Sequence, residues 1–226
     1  MPVVDLQQVS KTIAGQKILK NISVSFKEKQ ITAILGHSGA GKSTLLRLLN
    51  GLEKPTSGQV KLFAQDIAAQ NLIQLRRKIG YSVQGVGLFP HLTIRQNIGL
   101  LADICKKPAT EIEQRIEQLL GLVGLPTDYL GRYPVQLSGG EQQRVGLCRA
   151  MMLNPPLFLL DEAFGALDGK TKSEIHSNLL AIQKVEPRTI IMVTHDVAEA
   201  RRLADWALVL AKGQVTFDGP IRELSL

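Results

Sequence analysis

Apolar and polar positions follow three regimes along the chain. In the first third, apolar residues cluster in short strand-like stretches at 3–13, 22–26, 31–35 and 59–63, with one helical stretch at 42–52 directly after a glycine-rich turn. From residue 72 to about 152 the period becomes helical, broken at Pro90, Pro108, Pro126 and Pro134. Within this region Ile112, Ile116, Leu119, Leu120 and Val123 share one face, and Thr110 with Glu113 has the spacing of a capping box at the helix start. Beyond it, apolar runs at 157–160, 190–193 and 207–210 are separated by helical stretches at 172–183 and 197–204. Such runs have the character of parallel strands buried on both faces. The pattern predicts an α/β fold in one domain, 1–226, with a core from about 1–84 and 157–226 and a helical subdomain inserted at about 85–156.

Composition narrows this only slightly. With 44% hydrophobic and 21% charged residues over 226 positions, a disordered or fibrous chain is excluded. No apolar run approaches the roughly 18 residues that span a bilayer, and the first residues lack the basic and apolar regions of a secretory signal. Any work at a membrane therefore calls for spanning helices from another chain. Lys+Arg exceeds Asp+Glu by 27 − 20 = +7, but the basic residues fall in short groups such as Arg76-Arg77-Lys78, Lys106-Lys107 and Arg201-Arg202. These read as solvated helix surface and not as a nucleic-acid tail, so no nucleic-acid partner is expected. Cys105 and Cys148 have no metal or redox spacing and are expected to be reduced thiols.

Three segments carry chemistry. Gly36-His37-Ser38-Gly39-Ala40-Gly41-Lys42-Ser43, with Thr44 following, matches G-x-x-x-x-G-K-[ST] between an apolar strand and an amphipathic helix. In that setting backbone N–H groups converge on phosphate oxygens, Lys42 reaches the terminal phosphates, and Ser43 ligates magnesium; His37 reads as loop filler. Leu157–Leu160 runs into Asp161-Glu162, two carboxylates at a strand's C-terminal end. Alternation along a strand gives them different faces and different roles, Asp161 holding magnesium and Glu162 polarising the attacking water. Ser138-Gly139-Gly140-Glu141 has capping-box spacing, yet a capping role alone leaves the two glycines unexplained, since each costs about 1 kcal/mol in a helix relative to Ala. A helix end approached closely by phosphate has a use for them, and a second such end is best explained if it serves a nucleotide held by another copy.

The order GHSGAGKS, Gln84, LSGGE, LFLLDE, Ala166-Leu167-Asp168 and His195 resembles the nucleotide-binding subunits of ABC transporters over essentially the whole chain. The resemblance implies a P-loop NTPase core with a mostly parallel sheet, an N-terminal antiparallel β subdomain and an inserted α-helical subdomain carrying LSGGE. It implies an ATPase that uses ATP and Mg2+, and a head-to-tail homodimer that closes on two ATP molecules, each between Gly36–Ser43 of one copy and Ser138–Gly140 of the other. It further implies that Gln84 contacts magnesium and the attacking water, that Asp168 communicates across the dimer, and that His195 holds the γ-phosphate. Ile13 stands where relatives often place an adenine-stacking aromatic residue, and Ala163 where many have Pro.

The wording around Gly85–Leu92 resembles importers, in which this surface receives a helix of the membrane permease, so Leu88, Phe89 and Leu92 are expected to line a partner groove. Among importers the segments LRRKIGYSVQ and GLFPHLTI most resemble the quaternary-amine (glycine betaine and choline) group, then the polar amino acid group. The expected setting is peripheral, at the cytoplasmic face of the inner or plasma membrane, with an extracytoplasmic solute-binding protein as a further member of the system. The alternatives are an export or lipid-extracting relative, a soluble ABC-type ATPase acting on ribosomes or DNA, and, should the LSGGE reading fail, a small-molecule P-loop kinase.

Overall fold

The computed structural model describes residues 2–83, 85 and 87–225. Gln84, assigned above to magnesium and the attacking water, lies outside the described residues. In chain order the elements are β1 (Pro2–Ile13), β2 (Gln16–Lys27), β3 (Ile31–Leu35), α1 (Lys42–Leu49), β4 (Ser57–Leu62), β5 (Gln65–Asp66), α2 (Leu72–Arg77), β6 (Ile79–Ser82), α3 (Ile94–Ile104), α4 (Ala109–Val123), α5 (Gly139–Met151), β7 (Leu157–Asp161), α6 (Gly169–Val185), β8 (Thr189–Val193), α7 (Val197–Leu203), β9 (Trp206–Ala211) and β10 (Gln214–Pro220).

Two sheets result. An antiparallel sheet has the order β2-β1-β4-β5, and a six-stranded sheet has the order β10-β9-β3-β8-β7-β6, parallel except at β10. Every residue of β3, β7 and β8 is buried, as strands covered on both faces require. The two-residue period sorts them between two cores. Leu157, Leu159, Ile191 and Val193 face the layer containing α1 and the antiparallel sheet, whereas Phe158, Leu160, Ile190 and Met192 face the helical side with α3, α4, α5 and α7. Each such side chain contributes about 1.5–3 kcal/mol by leaving water, so the two faces fix the register of the sheet.

Two expectations need correction, and one strand goes beyond the sequence pattern. The helical period that begins at residue 72 with α2 is not continuous: β6 interrupts it, pairing with β7 as the edge of the parallel sheet. The chain also turns back as β10 through Lys212 and Gly213, both at positive φ, giving the core an antiparallel edge. The proposed capping box of Thr110 with Glu113 does not form. The helix starts after Pro108 with no side-chain cap, and Glu113 instead pairs with Arg95 at 2.7 Å.

Candidate functional site

The C-terminal ends of β3, β8 and β7 are neighbours in the sheet, and the residues following them carry the candidate chemistry. After β3 the chain turns through Gly36 at φ +143°, where a β-carbon would sit 2.2 Å from the Leu210 carbonyl oxygen. Only glycine permits that approach. Gly41, at φ +100° and packed against Ile18 and Leu19 of β2, starts α1 without a side-chain cap. The first-turn amides of Lys42, Ser43 and Thr44 have no carbonyl of their own helix to bond. They therefore face the loop as donors, and the helix dipole adds a positive end there. His37 and Ser38 are exposed on this loop, and Ala40 is buried with its amide bonded to the His37 carbonyl.

Lys42 is buried, and its ammonium donates to the carbonyls of Gly36 at 2.7 Å and His37 at 2.9 Å. The cation is thus held across the loop by acceptors it can exchange for phosphate oxygens. Next to it, the Ser43 hydroxyl donates to Asp161 Oδ1 at 3.0 Å. Asp161 is 2% exposed, and burial, followed by the adjacent Glu162 charge, raises its pKa above the ordinary carboxylate value despite the Ser43 bond. A buried carboxylate and a hydroxyl paired in this way suit a hard cation. Among the described residues no cluster of three or more His, Cys, Asp or Glu side chains is gathered to cage a metal. One carboxylate and one hydroxyl, with substrate oxygens completing the shell, match the habit of Mg2+.

Glu162 lies just past the strand in the left-handed region, at φ +49°. The alternation argument for its direction therefore does not apply; the chain bends at Glu162, and the bend separates it from Asp161. Its amide donates to Val193 O at 3.1 Å, and its carbonyl accepts from Gly165 N at 3.2 Å and Gln143 Nε2 at 3.1 Å. His195 follows β8 with its side chain 70% exposed and Nδ1 3.7 Å from Glu162 Oε1, adjacent but beyond hydrogen-bond length.

The helix carrying the second phosphate-type end meets the same loop. Ser138 caps α5 in a full capping box: Glu141 accepts from the Ser138 amide at 2.7 Å and from its hydroxyl at 2.8 Å, while the Glu141 amide donates back to Ser138 Oγ at 3.3 Å. These bonds from Ser138 hold the Glu141 carboxyl below its usual range. A β-carbon at Gly139 would meet no atom within 4 Å, and one at Gly140 would lie 3.2 Å from the Ala166 carbonyl. Gln143, one turn on and buried, donates to Glu162 O and accepts from Ala166 N at 2.9 Å. Its role escaped the sequence reading, because a glutamine in a helix surface pattern gives no sign of gripping a loop 19 residues away. Asp168 caps α6, accepting from the amides of Lys170 and Thr171. Ile13 ends β1 at 43% exposure on the ribbon that touches Gly41.

The family model described as "ABC transporter" matches residues 19–165, from β2 through the phosphate loop and α5 to the loop after Glu162. The chain belongs to the ABC transporter family. Among curated relatives of this ABC family member, the choline transport ATP-binding protein OpuBA of Bacillus subtilis is 41% identical over 93% of the chain, which spans only 55% of that protein. The glycine betaine uptake system ATP-binding protein YehX of Escherichia coli is 38% identical over 96% of the chain and 70% of its own length. Among solved structures, the ATP-binding cassette MJ0796, dimeric in a post-hydrolysis state bound to ADP and Pi, superposes with a TM-score of 0.90 at 33% identity, covering 98% of this chain and 100% of that one.

In this ABC family chain the segment after β6 forms one wall of an apolar groove of about 440 Å³. Phe89, Leu101, Ile104, Ile73 and Leu52 line it, each at least 37% exposed, together with Arg76, Arg77 and Arg149. Asn97, fully buried, shapes the segment by accepting from Phe89 N and donating to the carbonyls of Phe89, Leu92 and Thr93. Of the three residues expected there only Phe89 lines the groove. Leu88 packs onto the helical-side core, and Leu92 is half-buried away from the lining. No helix among the described residues is long and apolar enough to cross a membrane.

Proposed function

We propose that this chain is the ATP-hydrolysing subunit of an importer, powering uptake of a small quaternary amine such as glycine betaine or choline through a separate membrane permease. The observation that carries this reading is the convergence at adjacent strand ends of a loop-held Lys42, the Ser43–Asp161 pair and Glu162 beside His195. Gly36 to Thr44 bind the phosphates of ATP, Ile13 packs on the base, and Lys42 shifts from its two carbonyls to the terminal phosphates. Ser43, Asp161 and Gln84 would hold Mg2+, which supplies charge neutralisation at the phosphates. Glu162 accepts the proton of the attacking water, and His195, within 3.7 Å of it, holds the γ-phosphate in line.

Ser138, Gly139 and Gly140 serve the nucleotide of a second copy, with Asp168 signalling across the dimer, because the phosphate loop of one copy already supplies one helix end. The exposed apolar groove behind Phe89 suits a short helix of the permease, with arginines in its lining to receive acidic or carbonyl groups. On this reading the chain works peripherally at the cytoplasmic face of the membrane, and a solute-binding protein would complete the system. The test is reconstitution with the co-purified permease in vesicles. ATP-driven accumulation of glycine betaine or choline is expected, whereas outward movement of lipid, or no transport, would contradict importer function.

A further inference from the structure

Outside the catalytic carboxylates, the most buried ionic cluster of the described residues lies behind His195. Lys172, in the first turn of α6, donates to Asp196 Oδ2 at 3.1 Å and pairs with Glu199 Oε1 at 2.9 Å. Glu199 is 6% exposed on α7 and also lies 3.3 Å from His176 Nε2 of α6, itself 2% exposed. The His176 ring meets Phe164, in the loop after Glu162, edge-on at 4.8 Å. Asp196 follows His195 directly and caps α7, accepting from Glu199 N at 3.0 Å while its own amide donates to Thr194 Oγ1 at 3.1 Å.

These contacts close a ring. From Glu162 the chain runs through the 163–168 loop into α6; Lys172 crosses to Asp196, the next residue back is His195, and His195 faces Glu162 at 3.7 Å. The backbone fixes the strands on which Glu162 and His195 start, but both residues lie past their strand ends, on loops. Lys172 is the charged strut between those loops, and it stands four residues from Asp168, whose carbonyl accepts its amide at 2.9 Å. We propose that Lys172 is a positioning residue for hydrolysis, its ammonium bridging Asp196 and Glu199 so that His195 is set against Glu162 and moves with the Asp168 end of α6.

A salt link that merely neutralises Glu199 would leave the same picture, so the test must separate the two. It rests on the assignment of Glu162 as base, and Glu162→Gln is assayed alongside. Lys172→Met alone orphans the buried Glu199 carboxylate; Lys172→Met with Glu199→Gln removes both buried charges, and the Asp196 carboxylate that remains is 40% exposed and keeps its bond from Glu199 N. The purified chain is assayed for steady-state Mg-ATP hydrolysis, with melting temperatures as control. In the double variant kcat is expected to fall roughly 10- to 100-fold, as for a misplaced reacting group, while KM for ATP stays within about twofold, because the phosphate loop is untouched. Lys172→Arg, which keeps charge and donors, is expected to retain most of the wild-type kcat. A folded double variant with wild-type kcat would overturn the proposal, as would a Lys172→Arg no faster than the double variant. Hydrolysis retained by Glu162→Gln would remove the base assignment and the proposal with it, whereas loss there with full kcat in the double variant sinks Lys172 alone.

Discussion

Gln143 joins α5 to the loop that begins at Glu162 through two hydrogen bonds, and its replacement by leucine keeps the volume while cutting both. Glu162 O retains Gly165 N as a donor, so the Nε2 bond costs only its net value, about 0.5–1.5 kcal/mol. Ala166 is exposed, so water replaces the acceptor that its amide loses, and that bond too costs only its net value, about 0.5–1.5 kcal/mol. Burial of the leucine methyls returns about 1 kcal/mol, leaving a net loss of roughly 0–2 kcal/mol. The functional effect goes further. A non-glycine residue at φ +49° carries about 1–3 kcal/mol of strain and stays there only while its neighbours over-determine it. Releasing one anchor of Glu162 lets the loop relax, and the carboxylate leaves the position it needs. Urea unfolding is expected to show a lower midpoint at unchanged slope, with kcat for Mg-ATP reduced and affinity for a fluorescent ATP analogue unchanged, since Gln143 touches no part of the phosphate loop. A Gln143→Leu chain with wild-type midpoint and kcat would refute this account of how Glu162 is held.

Gly36→Ala places a methyl 2.2 Å from Leu210 O, so it is expected to lower the urea unfolding free energy by more than about 2 kcal/mol and to weaken nucleotide binding; a chain of unchanged stability would contradict the close approach. For Asp161, burial raises the folded pKa above the unfolded one, so stability is lost as pH rises through the carboxylate range. Asp161→Asn, which still accepts from Ser43, is therefore expected to melt higher than the wild type without nucleotide, the gap opening as pH rises above the ordinary carboxylate range, while Mg2+-dependent hydrolysis is lost. Equal melting curves at all pH values would contradict the cost of burying that charge. Glu162→Gln removes the carboxylate proposed as base yet keeps the pocket's shape, so ATP binding and ATP-dependent dimer formation on a sizing column are expected to persist while hydrolysis fails.

The chemistry was legible because its residues sit at strand ends, and apolar runs followed by glycine or carboxylate mark those ends in a sequence. The residues that organise them were not. β6 is only four residues, and its Gly80 reads as a breaker; the glycine is there because a β-carbon would meet Ala150 O at 2.4 Å, a tertiary reason no local pattern carries. Thr110 and Glu113 have the right spacing, but Arg95 takes the glutamate from another helix. Asp161 and Glu162 are set apart by the bend at Glu162 and not by the strand alternation that the sequence predicts. Gln143 and Lys172 act across 19 and 24 residues of sequence, and polar side chains at such separations carry no periodic signal.

The central claim, that this chain drives a separate permease, is tested most directly by capture from native membranes with tagged Glu162→Gln chain in Mg-ATP, followed by mass spectrometry and by repetition with Phe89→Asp. The account predicts recovery of a multi-span membrane protein in fixed ratio with the chain, lost when a charge is placed in the groove. Recovery of only ribosomal or DNA-bound proteins, or of a permease indifferent to Phe89→Asp, would contradict it.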